Sequence, residues 1–356
     1  MDLSGWTGRR LRRPGWLRTP RWLRRRWVWI PLLLVGVLLV LPVGSALLAL
    51  RLADAGSLDD RTRTRGRDAA WLGHAWVDGR KGPADYAALP QLVRGGIRDL
   101  YVHAGPLERD GSLDGARYPK AAELIAAVHR ELPGVRVQAW LGDVVAPEHP
   151  EGLHLEQPEV RQKITASAAQ VLDAGFDGVH YDLEPVPSGS AGYLALLDQT
   201  HQVTAARGAP LSVAVPQIDP LPALHALAAA AAGHPKWWSQ EYFGQVARRV
   251  EQIAVMSYDT AMPLPSLYGG YVAQQTELAL EATPPQVDLL MGLPAYWADE
   301  WGHRGSAETV PAAVRGVRLG LGRGGAARTA FGVAVYADFS ATEADWAAYR
   351  QDWCGC

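Results

Sequence analysis

Two acidic side chains close an apolar run in the segment FDGVHYDLEPV, residues 176–186. Side chains alternate along a β-strand, so His180, Asp182 and Glu184 would share one face of this segment. Burying two carboxylates beside an imidazole is unfavourable unless the groups pair, and such buried groups commonly serve acid–base chemistry. The alternative is an edge strand whose polar face meets solvent. Because the other candidate strands are apolar enough to be buried, we favour a catalytic strand that faces the interior of a barrel.

The same segment resembles the catalytic strand of glycoside hydrolase family 18, the chitinase-like enzymes, whose pattern is DxxDxDxE. Asp177, Asp182 and Glu184 match the first aspartate, the third aspartate and the acid glutamate of that pattern. His180 stands where the family has its second aspartate. A histidine at this position could donate a hydrogen bond to Asp182 and favour its ionised form.

A second motif carries the resemblance, the run IAVMSYD at residues 253–259. Its Met256, Tyr258 and Asp259 match the MxYD pattern of the family. The later run MGLPAYW is similar to the family's GLPxYG-type run, with a tryptophan where glycine is usual. Tyr336 occupies the place where the family often has a tryptophan under the scissile sugar.

The resemblance implies a retaining hydrolysis of a sugar with a 2-acetamido group, in which the substrate's own acetamide attacks the anomeric carbon. Glu184 would protonate the leaving glycosidic oxygen and would then act as the base toward water. Asp182 would hold the acetamide, Tyr258 would hydrogen-bond its carbonyl, and Asp259 would help to position the sugar. No cofactor is implied.

Strand-like apolar runs alternate with helix-like segments from residue 70 onward, which predicts parallel strands joined by helices. Eight such units over residues 70–350 fit a (β/α)8 TIM barrel of the α/β class, which typically needs about 250 residues. An open doubly wound sheet is the alternative, but no GxGxxG follows the first strand and no P-loop occurs. The candidate strands lie near 70–77, 97–104, 135–143, 176–184, 211–217, 253–259, 287–297 and 331–339.

The strand ends supply the candidate binding residues, because the active site of a TIM barrel forms at the carboxyl ends of its strands. Aromatic rings stack on pyranose faces while carboxylates and amides bind the hydroxyls, so a ring of such side chains suits a sugar. Each aromatic residue alone is more often part of a core, and only the set points to a sugar site. Besides Glu184, Asp182 and Tyr258, the predicted substrate-binding residues are Trp76, Trp140, His180, Gln217, Met256, Asp259, Tyr296 and Tyr336.

The amino terminus predicts a membrane anchor. Residues 1–26 hold nine arginines and one aspartate, a net charge of +8, and 24 residues without a charge follow. Such a run can cross a hydrocarbon core of roughly 30 Å, with the arginine-rich end in the cytoplasm. A cleavable signal peptide is the alternative, although its apolar region usually has about 7–15 residues. We therefore predict a cytoplasmic tail (1–26), a transmembrane signal anchor (27–50), a linker (51–69), an extracytoplasmic barrel (70–350) and a C-terminal tail (351–356).

Charge and cysteine content limit the partners. The whole chain carries −2, so the part after residue 26 carries −10 and is not suited to a polyanion. The arginines lie next to a predicted membrane span, so we expect them to orient the helix and expect no nucleic acid partner. Cys354 and Cys356 are the only cysteines and are expected in an exposed tail. No metal site is expected, because the candidate histidines lie on separate strands and no HExxH-like spacing occurs.

These features together predict a membrane-anchored, outward-facing glycoside hydrolase. The expected substrate is a β-linked, N-acetylglucosamine-containing glycan such as a chitin-like polymer, peptidoglycan or an exopolysaccharide. One alternative is a glycosidase of related fold that acts on a polysaccharide without acetamido groups, with Glu184 as acid and Asp259 or Asp143 as its partner. Another is a catalytically inactive carbohydrate-binding barrel. Abundant alanine and the excess of arginine over lysine indicate a bacterial source.

Overall fold

The chain divides between Leu48 and Ala49 into two units. A computed structural model describes residues 21–226, 230, 236–299 and 302–356. Helix α1 (Arg21–Asp54) makes up the described part of the first unit and extends into the second. Its segment Val35–Asp54 has a mean hydropathy of 2.2, so by length and composition alone it could cross a membrane. A signal sequence can have the same length and composition, so membrane anchoring remains a prediction. Residues 1–20 of the arginine-rich segment lie outside the described residues.

Eight parallel strands close into a barrel in the second unit, which confirms the predicted (β/α)8 fold. They are β1 Asp68–Leu72, β2 Ile97–Pro106, β3 Arg136–Val144, β4 Gly178–Glu184, β5 Leu211–Val215, β8 Gln252–Val255, β9 Asp288–Pro294 and β10 Phe331–Tyr336. Each strand pairs with the next in this order, and β10 pairs with β1. Two short strands, β6 Gln217–Ile218 and β7 Trp237–Trp238, form a separate small sheet.

Helices follow the strands along the chain and cover the outside of the barrel. They are α2 Pro83–Leu92, α3 Ala121–Glu131, α4 Pro158–Asp173, α5 Ala191–Ala205, α6 Gln240–Ala247, α7 Pro265–Ala282, α8 Val310–Gly324 and α9 Glu343–Ala348. Proline begins α4 and α7, where its missing N–H has no partner to lose. In α4, Val160, Ile164 and Val171 are buried at helical spacing and Leu172 packs against the same core.

Alternation along the strands divides the core into two layers. Outward-facing residues such as Val179, Tyr181 and Leu183 of β4 pack in the layer between strands and helices. Inward-facing residues fill the barrel itself, where Trp71 and Tyr101 belong to a smaller cluster. The polar side chains of β4 alternate with its outward-facing residues, so they point into the barrel.

The first predicted strand is too long at its carboxyl end. It ends at Leu72, and a 3-10 turn over His74–Trp76 follows. The Oδ1 atom of Asp338 accepts the backbone N–H of Gly73 at 2.7 Å, which holds the chain as it leaves the sheet.

The predicted exposed tail also begins too early. Trp353 is completely buried, and its indole N–H donates to both carboxylate oxygens of Asp68 at 3.0 Å. The chain is therefore part of the barrel up to this tryptophan. Cys354 and Cys356 form a disulfide beyond it, and Cys356 is exposed as expected.

Candidate active site

Strand β4 brings the two acidic side chains to the carboxyl end of the barrel. It pairs with β3 so that Gly142 lies beside Asp182 and Val144 lies beside Glu184. A Cβ atom at Gly142 would lie 2.8 Å from the carbonyl oxygen of Asp182 and 3.4 Å from Nε1 of Trp140. Glycine at this position therefore gives room both for the close approach of the strands and for the indole.

Asp182 and Glu184 differ in their surroundings although they share one face. Oδ1 of Asp182 is buried without a hydrogen-bond partner among the described residues, and burial raises the pKa of Asp182 to about 6. Glu184 is exposed at the carboxyl end of β4, at the opening of the barrel, which we call the cleft. Its carboxyl group is nevertheless surrounded by other residues. This crowding, with the charges of Asp182 and Asp259, raises the pKa of Glu184 to about 8. A carboxyl that is protonated at neutral pH beside an ionised one suits a general acid and its partner.

His180 lies deeper in the barrel and is completely buried. Its Nε2 is 3.1 Å from Nε1 of Trp71, and its Nδ1 is 2.7 Å from Oγ of Ser212. An indole N–H can only donate, so Nε2 accepts and the proton is on Nδ1, which donates to Ser212. Burial holds the pKa of His180 well below its usual value, so the ring is neutral. The predicted hydrogen bond from His180 to Asp182 is wrong, because both ring nitrogens are used elsewhere, and the ring does not reach a substrate.

Three aromatic side chains surround the carboxylates. The rings of Tyr258 and Tyr336 stack with centroids 5.4 Å apart, and the ring of Trp140 lies edge-on to Tyr336 at 6.3 Å. Burial raises the pKa of Tyr258 far above its usual value, and nearby phenols and the charges of Asp182 and Glu184 add to the rise. The motifs on the fourth and sixth barrel strands therefore meet in one site.

The indole N–H of Trp140 is buried and makes no hydrogen bond within the part of the chain described. It lies near enough to Asp182 to oppose the rise of that carboxyl's pKa, without meeting the geometry of a hydrogen bond. An unsatisfied buried polar group costs about 1–3 kcal/mol. A donor and an acceptor left unsatisfied side by side indicate a site that a ligand completes.

Asp259 and Tyr296 form the rim of the cleft. The phenol of Tyr296 donates to Oδ1 of Asp259 at 2.5 Å, while the Asp259 side chain remains 54% exposed. Lys236 donates to the backbone carbonyl of Asp259 at 3.0 Å. The carboxylate is held from one side and open to a ligand on the other.

Two predicted binding residues serve the architecture. The amide of Gln217 donates to the backbone carbonyls of Met256 and Tyr258 at 2.7 and 2.5 Å, so it fixes the loop after β8. Trp76 is 2% exposed and donates to Oδ2 of Asp338 at 2.6 Å. Both side chains are buried and their donors are already bonded within the protein, and the prediction that they bind substrate stays a prediction.

Two further residues of the motifs have supporting positions. Met256 is half-buried and packs on the cluster inside the barrel. Asp177, which matches the first aspartate of the motif, lies at the start of β4, away from the carboxyl end. It accepts the backbone N–H of Val137 at 2.7 Å and lies 2.8 Å from His129.

Sequence reasoning missed three polar residues near Asp259, which are Lys236, His303 and Glu308. His303 lies 3.1 Å from Oδ1 of Asp259, and Glu308 accepts the backbone N–H of Thr260 at 3.1 Å. No motif marks these positions. The available signal was their place between barrel strands, where loop residues often belong to the site, but charged loop residues are usually only solvated.

No protein-family model and no curated protein matches the sequence, whereas solved structures do match the fold. A chitinase from Chromobacterium violaceum has a TM-score of 0.55 at 18% identity, over 80% of this chain and 98% of that chain. A class V chitinase from Pseudomonas fluorescens Pf-5 has a TM-score of 0.56 at 15% identity, over the same shares. The chain has their fold.

A third structure extends the comparison to an enzyme with another named role. The spore cortex-lytic enzyme SleL of Bacillus cereus has a TM-score of 0.56 at 12% identity, over 81% of this chain and 74% of that chain. The barrel implied by the sequence resemblance is the barrel of these structures. At such identities the likeness establishes the fold, and the function has to be argued from the site.

Proposed function

We propose that this chain is a glycoside hydrolase that cuts β-linked, N-acetylglucosamine-containing glycans with retention at the anomeric carbon. One observation carries the proposal: the unpartnered Oδ1 of Asp182 lies on the same strand face as Glu184, whose carboxyl has a pKa of about 8. The first group needs a hydrogen-bond donor from a ligand, and the second can give a proton at neutral pH. The 2-acetamido group of the substrate supplies that donor.

In the first step the acetamide N–H donates to Oδ1 of Asp182, and the acetamide oxygen attacks the anomeric carbon. The glycosidic C–O bond breaks, and its electron pair goes to the leaving oxygen, which takes the proton of Glu184. The carboxylate of Asp182 stabilises the positive charge that develops on the cyclised amide. The phenols of Tyr258 and Tyr336 close the site around the reacting sugar.

In the second step Glu184 is ionised and accepts a proton from water. The water oxygen attacks the anomeric carbon from the face that the leaving group occupied, and the ring of the intermediate opens to restore the acetamide. Two displacements at one carbon return the β-anomer.

We further propose that the barrel is membrane-anchored and lies outside the cytoplasm. Support comes from the arginine-rich segment before an apolar helix whose segment Val35–Asp54 is long enough to span a bilayer. A surface glycan would then be the substrate. Protease added to intact cells that carry tags at both termini should remove the C-terminal tag and leave the N-terminal one. Loss of neither tag would contradict this orientation.

The experiment that tests the activity uses the full chain in detergent beside its Glu184→Gln variant. Chitotetraose and cellotetraose form a matched pair of substrates, because both are β-linked and only the first carries acetamido groups. Proton NMR should show the β-anomer first from chitotetraose with the unmodified chain, and no product from cellotetraose. Peptidoglycan glycan strands would then define the physiological substrate class.

Other outcomes identify the alternatives. Equal cleavage of cellotetraose would show that the acetamide takes no part and would favour a glycosidase that uses a second carboxylate. Binding of chitotetraose by both proteins with cleavage by neither would favour a carbohydrate-binding barrel.

A further inference from the structure

A second cluster of ionisable groups lies where the loop after β9 meets the loop after β8. His303 is 2% exposed, and its ring stacks on Tyr296 with centroids 4.1 Å apart and planes 28° apart. Its Nδ1 is 3.1 Å from Oδ1 of Asp259 and 3.6 Å from Oε2 of Glu308. The imidazole therefore lies between two carboxylates, one at the cleft and one inside the protein.

Glu308 needs a positive charge beside it. It is completely buried, and its oxygens accept the backbone N–H groups of Thr260 at 3.1 Å and Arg304 at 3.3 Å. Among the described residues, His303 is the only side chain that pairs with it as a cation. A buried carboxylate without a counter-charge is costly, so a charged imidazole stabilises this arrangement.

The carboxylates at Nδ1 favour a charged ring, whereas Nε2 of His303 is buried without a hydrogen-bond partner among the described residues. Burial alone would lower the pKa of His303, but the hydrogen bonds and charges of Asp259 and Glu308 outweigh it and raise the pKa to about 9. The other charged or titratable groups that interact with the cluster, among the described residues, are the ammonium of Lys236, the carboxyl of Glu184 and the phenols of Tyr268, Tyr271, Tyr296 and Tyr336.

The cluster also fixes the backbone that carries Asp259. Asp259 has a φ angle of +58°, in the left-handed region. Residues other than glycine adopt this region mainly where the surrounding structure holds them there. Glu308 binds the N–H of the next residue, Thr260, and Gly302 accepts the N–H of Ala261 at 2.6 Å. The loop after β9 therefore determines the position of the loop after β8.

A bound metal ion is the other chemistry that these three side chains could support, since their ligand atoms lie within 4.8 Å of one another. The hydrogen-bond pattern favours the imidazolium. The oxygens of Glu308 already accept backbone N–H groups, and Oδ1 of Asp259 already accepts the phenol of Tyr296. A metal on Nδ1 would also have to displace a proton that two carboxylates hold.

We propose that His303 is a positioning residue whose imidazolium joins Glu308 to Asp259 and orients the Asp259 carboxylate toward a hydroxyl of the bound sugar. The part that concerns the sugar rests on the proposed function. The part that concerns the charge of the imidazole does not, so each can fail separately.

The test compares His303→Asn and His303→Ala in the full chain, with His201→Asn as a matched control. His201 lies 2.9 Å from Glu251 near the start of β8, so the control removes a histidine–glutamate pair from the opposite end of the barrel. Asparagine places an N–H near the position of Nδ1, whereas alanine does not. We expect KM for chitotetraose to rise about tenfold in His303→Ala with kcat within about threefold, and to recover only in part in His303→Asn, which keeps the N–H donor but not the charge.

NMR of histidine labelled with ¹⁵N in the ring gives the second readout. The resonance lost in His303→Asn should titrate near pH 9 in the unmodified chain, and zinc chloride should not shift it. Titration at or below pH 6.5 would overturn the charged bridge, and a shift on adding zinc would favour a metal site. An unchanged KM in His303→Ala would overturn the positioning role. If chitotetraose is bound without cleavage, its Kd replaces KM; if it is not bound, the proposed function fails and the titration still decides the charge.

Discussion

The two ends of the barrel bury carboxylates in opposite ways. At the amino-terminal end Asp99 is completely buried and fully paired: both nitrogens of the Arg136 fork donate to it at 2.7 and 2.8 Å. The amides of Gln138 and Gln252 donate to it as well, at 2.9 and 3.0 Å. At the carboxyl end Asp182 keeps an oxygen without any partner among the described residues. The first carboxylate stabilises the fold, and the proposed function assigns the second to a ligand.

A series of hydrogen bonds marks the boundary between the end of the barrel where buried polar groups are paired and the end where Asp182 is not. Trp71 donates to His180, His180 donates to Ser212, and Ser212 donates to Gln138 at 2.8 Å. These hydrogen bonds lead from His180 toward the amino-terminal end of the barrel, to the network around Asp99. Asp182, two residues further along β4, is not part of it. His180 thus belongs to the hydrogen-bonded, stabilising part of the barrel, and the proposed reactive part begins at Asp182, toward the carboxyl end.

The largest expected effect comes from removing the proton donor, in Glu184→Gln. The amide cannot donate a proton to the leaving oxygen, so kcat should fall by about 10²–10⁴-fold. The fold should be unaffected, because no hydrogen bond that holds the described structure together depends on this carboxyl. Kinetics with chitotetraose and thermal unfolding of the same sample check both statements. If Glu184→Gln lost stability as well as activity, this carboxyl would also stabilise the fold, and the two ends of the barrel would not differ in this respect.

The opposite pattern is expected for Asp99→Asn. Removing this charge leaves Arg136 with a half-buried guanidinium and no carboxylate, and breaking a buried ion pair typically costs about 3–5 kcal/mol. Urea unfolding should show that loss, while KM of the protein that remains folded should be unchanged. Arg136→Met is the second variant if Asp99→Asn does not fold. A Tm within error of the unmodified chain would show that the paired end is not the stabilising one.

Much of this comparison could be predicted from local pattern, and some of it could not. The alternation in β4 places Asp182 and Glu184 on the inward face, and the repeat of strands and helices predicts the barrel that brings Tyr258 to them. The partners of His180 could not be predicted, because Trp71 and Ser212 come from β1 and β5 and meet it only at the register of the closed barrel.

The architectural contacts of two predicted binding residues could not be foreseen for a related reason. Trp76 and Gln217 have suitable chemistry and lie after suitable strands. Their direction depends on Asp338 and on the loop after β8, which are distant in the sequence. A pattern in the sequence indicates the chemistry available at a strand end, whereas tertiary contacts decide which side chain is already satisfied.

The raised pKa of Glu184 predicts a moderate effect of pH. The folded chain keeps its proton up to about pH 8, whereas an unfolded glutamate loses it near about pH 4.3. Between these values the folded state binds more protons than the unfolded state, so this group makes stability fall as pH rises. Stability of Glu184→Gln should therefore fall less than that of the unmodified chain from pH 4.5 to pH 8. Asp68, whose pKa is raised to about 6, contributes equally to both proteins.

Activity should follow the same groups. We expect kcat/KM to fall above about pH 8, where Glu184 loses its proton, and below about pH 6, where Asp182 gains one. These are values of the interacting pair and not of either residue alone. Parallel stability curves for the two proteins would show that Glu184 is an ordinary solvated carboxyl. A rate that stays constant up to pH 10 would show that the proton of Glu184 does not limit the reaction.

The smallest expected effects come from two tryptophans whose indole N–H groups lie near carboxylates. Trp76 donates to Asp338 at 2.6 Å, whereas the N–H of Trp140 has no hydrogen-bond partner among the described residues. Phenylalanine keeps an aromatic ring and removes the donor at either position. Trp76→Phe should lower the free energy of unfolding by about 1–3 kcal/mol and leave KM unchanged, because it leaves a carboxylate oxygen unsatisfied. Trp140→Phe should leave stability unchanged or higher and weaken chitotetraose binding about tenfold, because the donor it removes makes no hydrogen bond among the described residues and is available to a ligand. If the two variants behave alike, an unsatisfied polar atom does not mark the site, and the assignment of Asp182 as the group that holds the acetamide loses its main support.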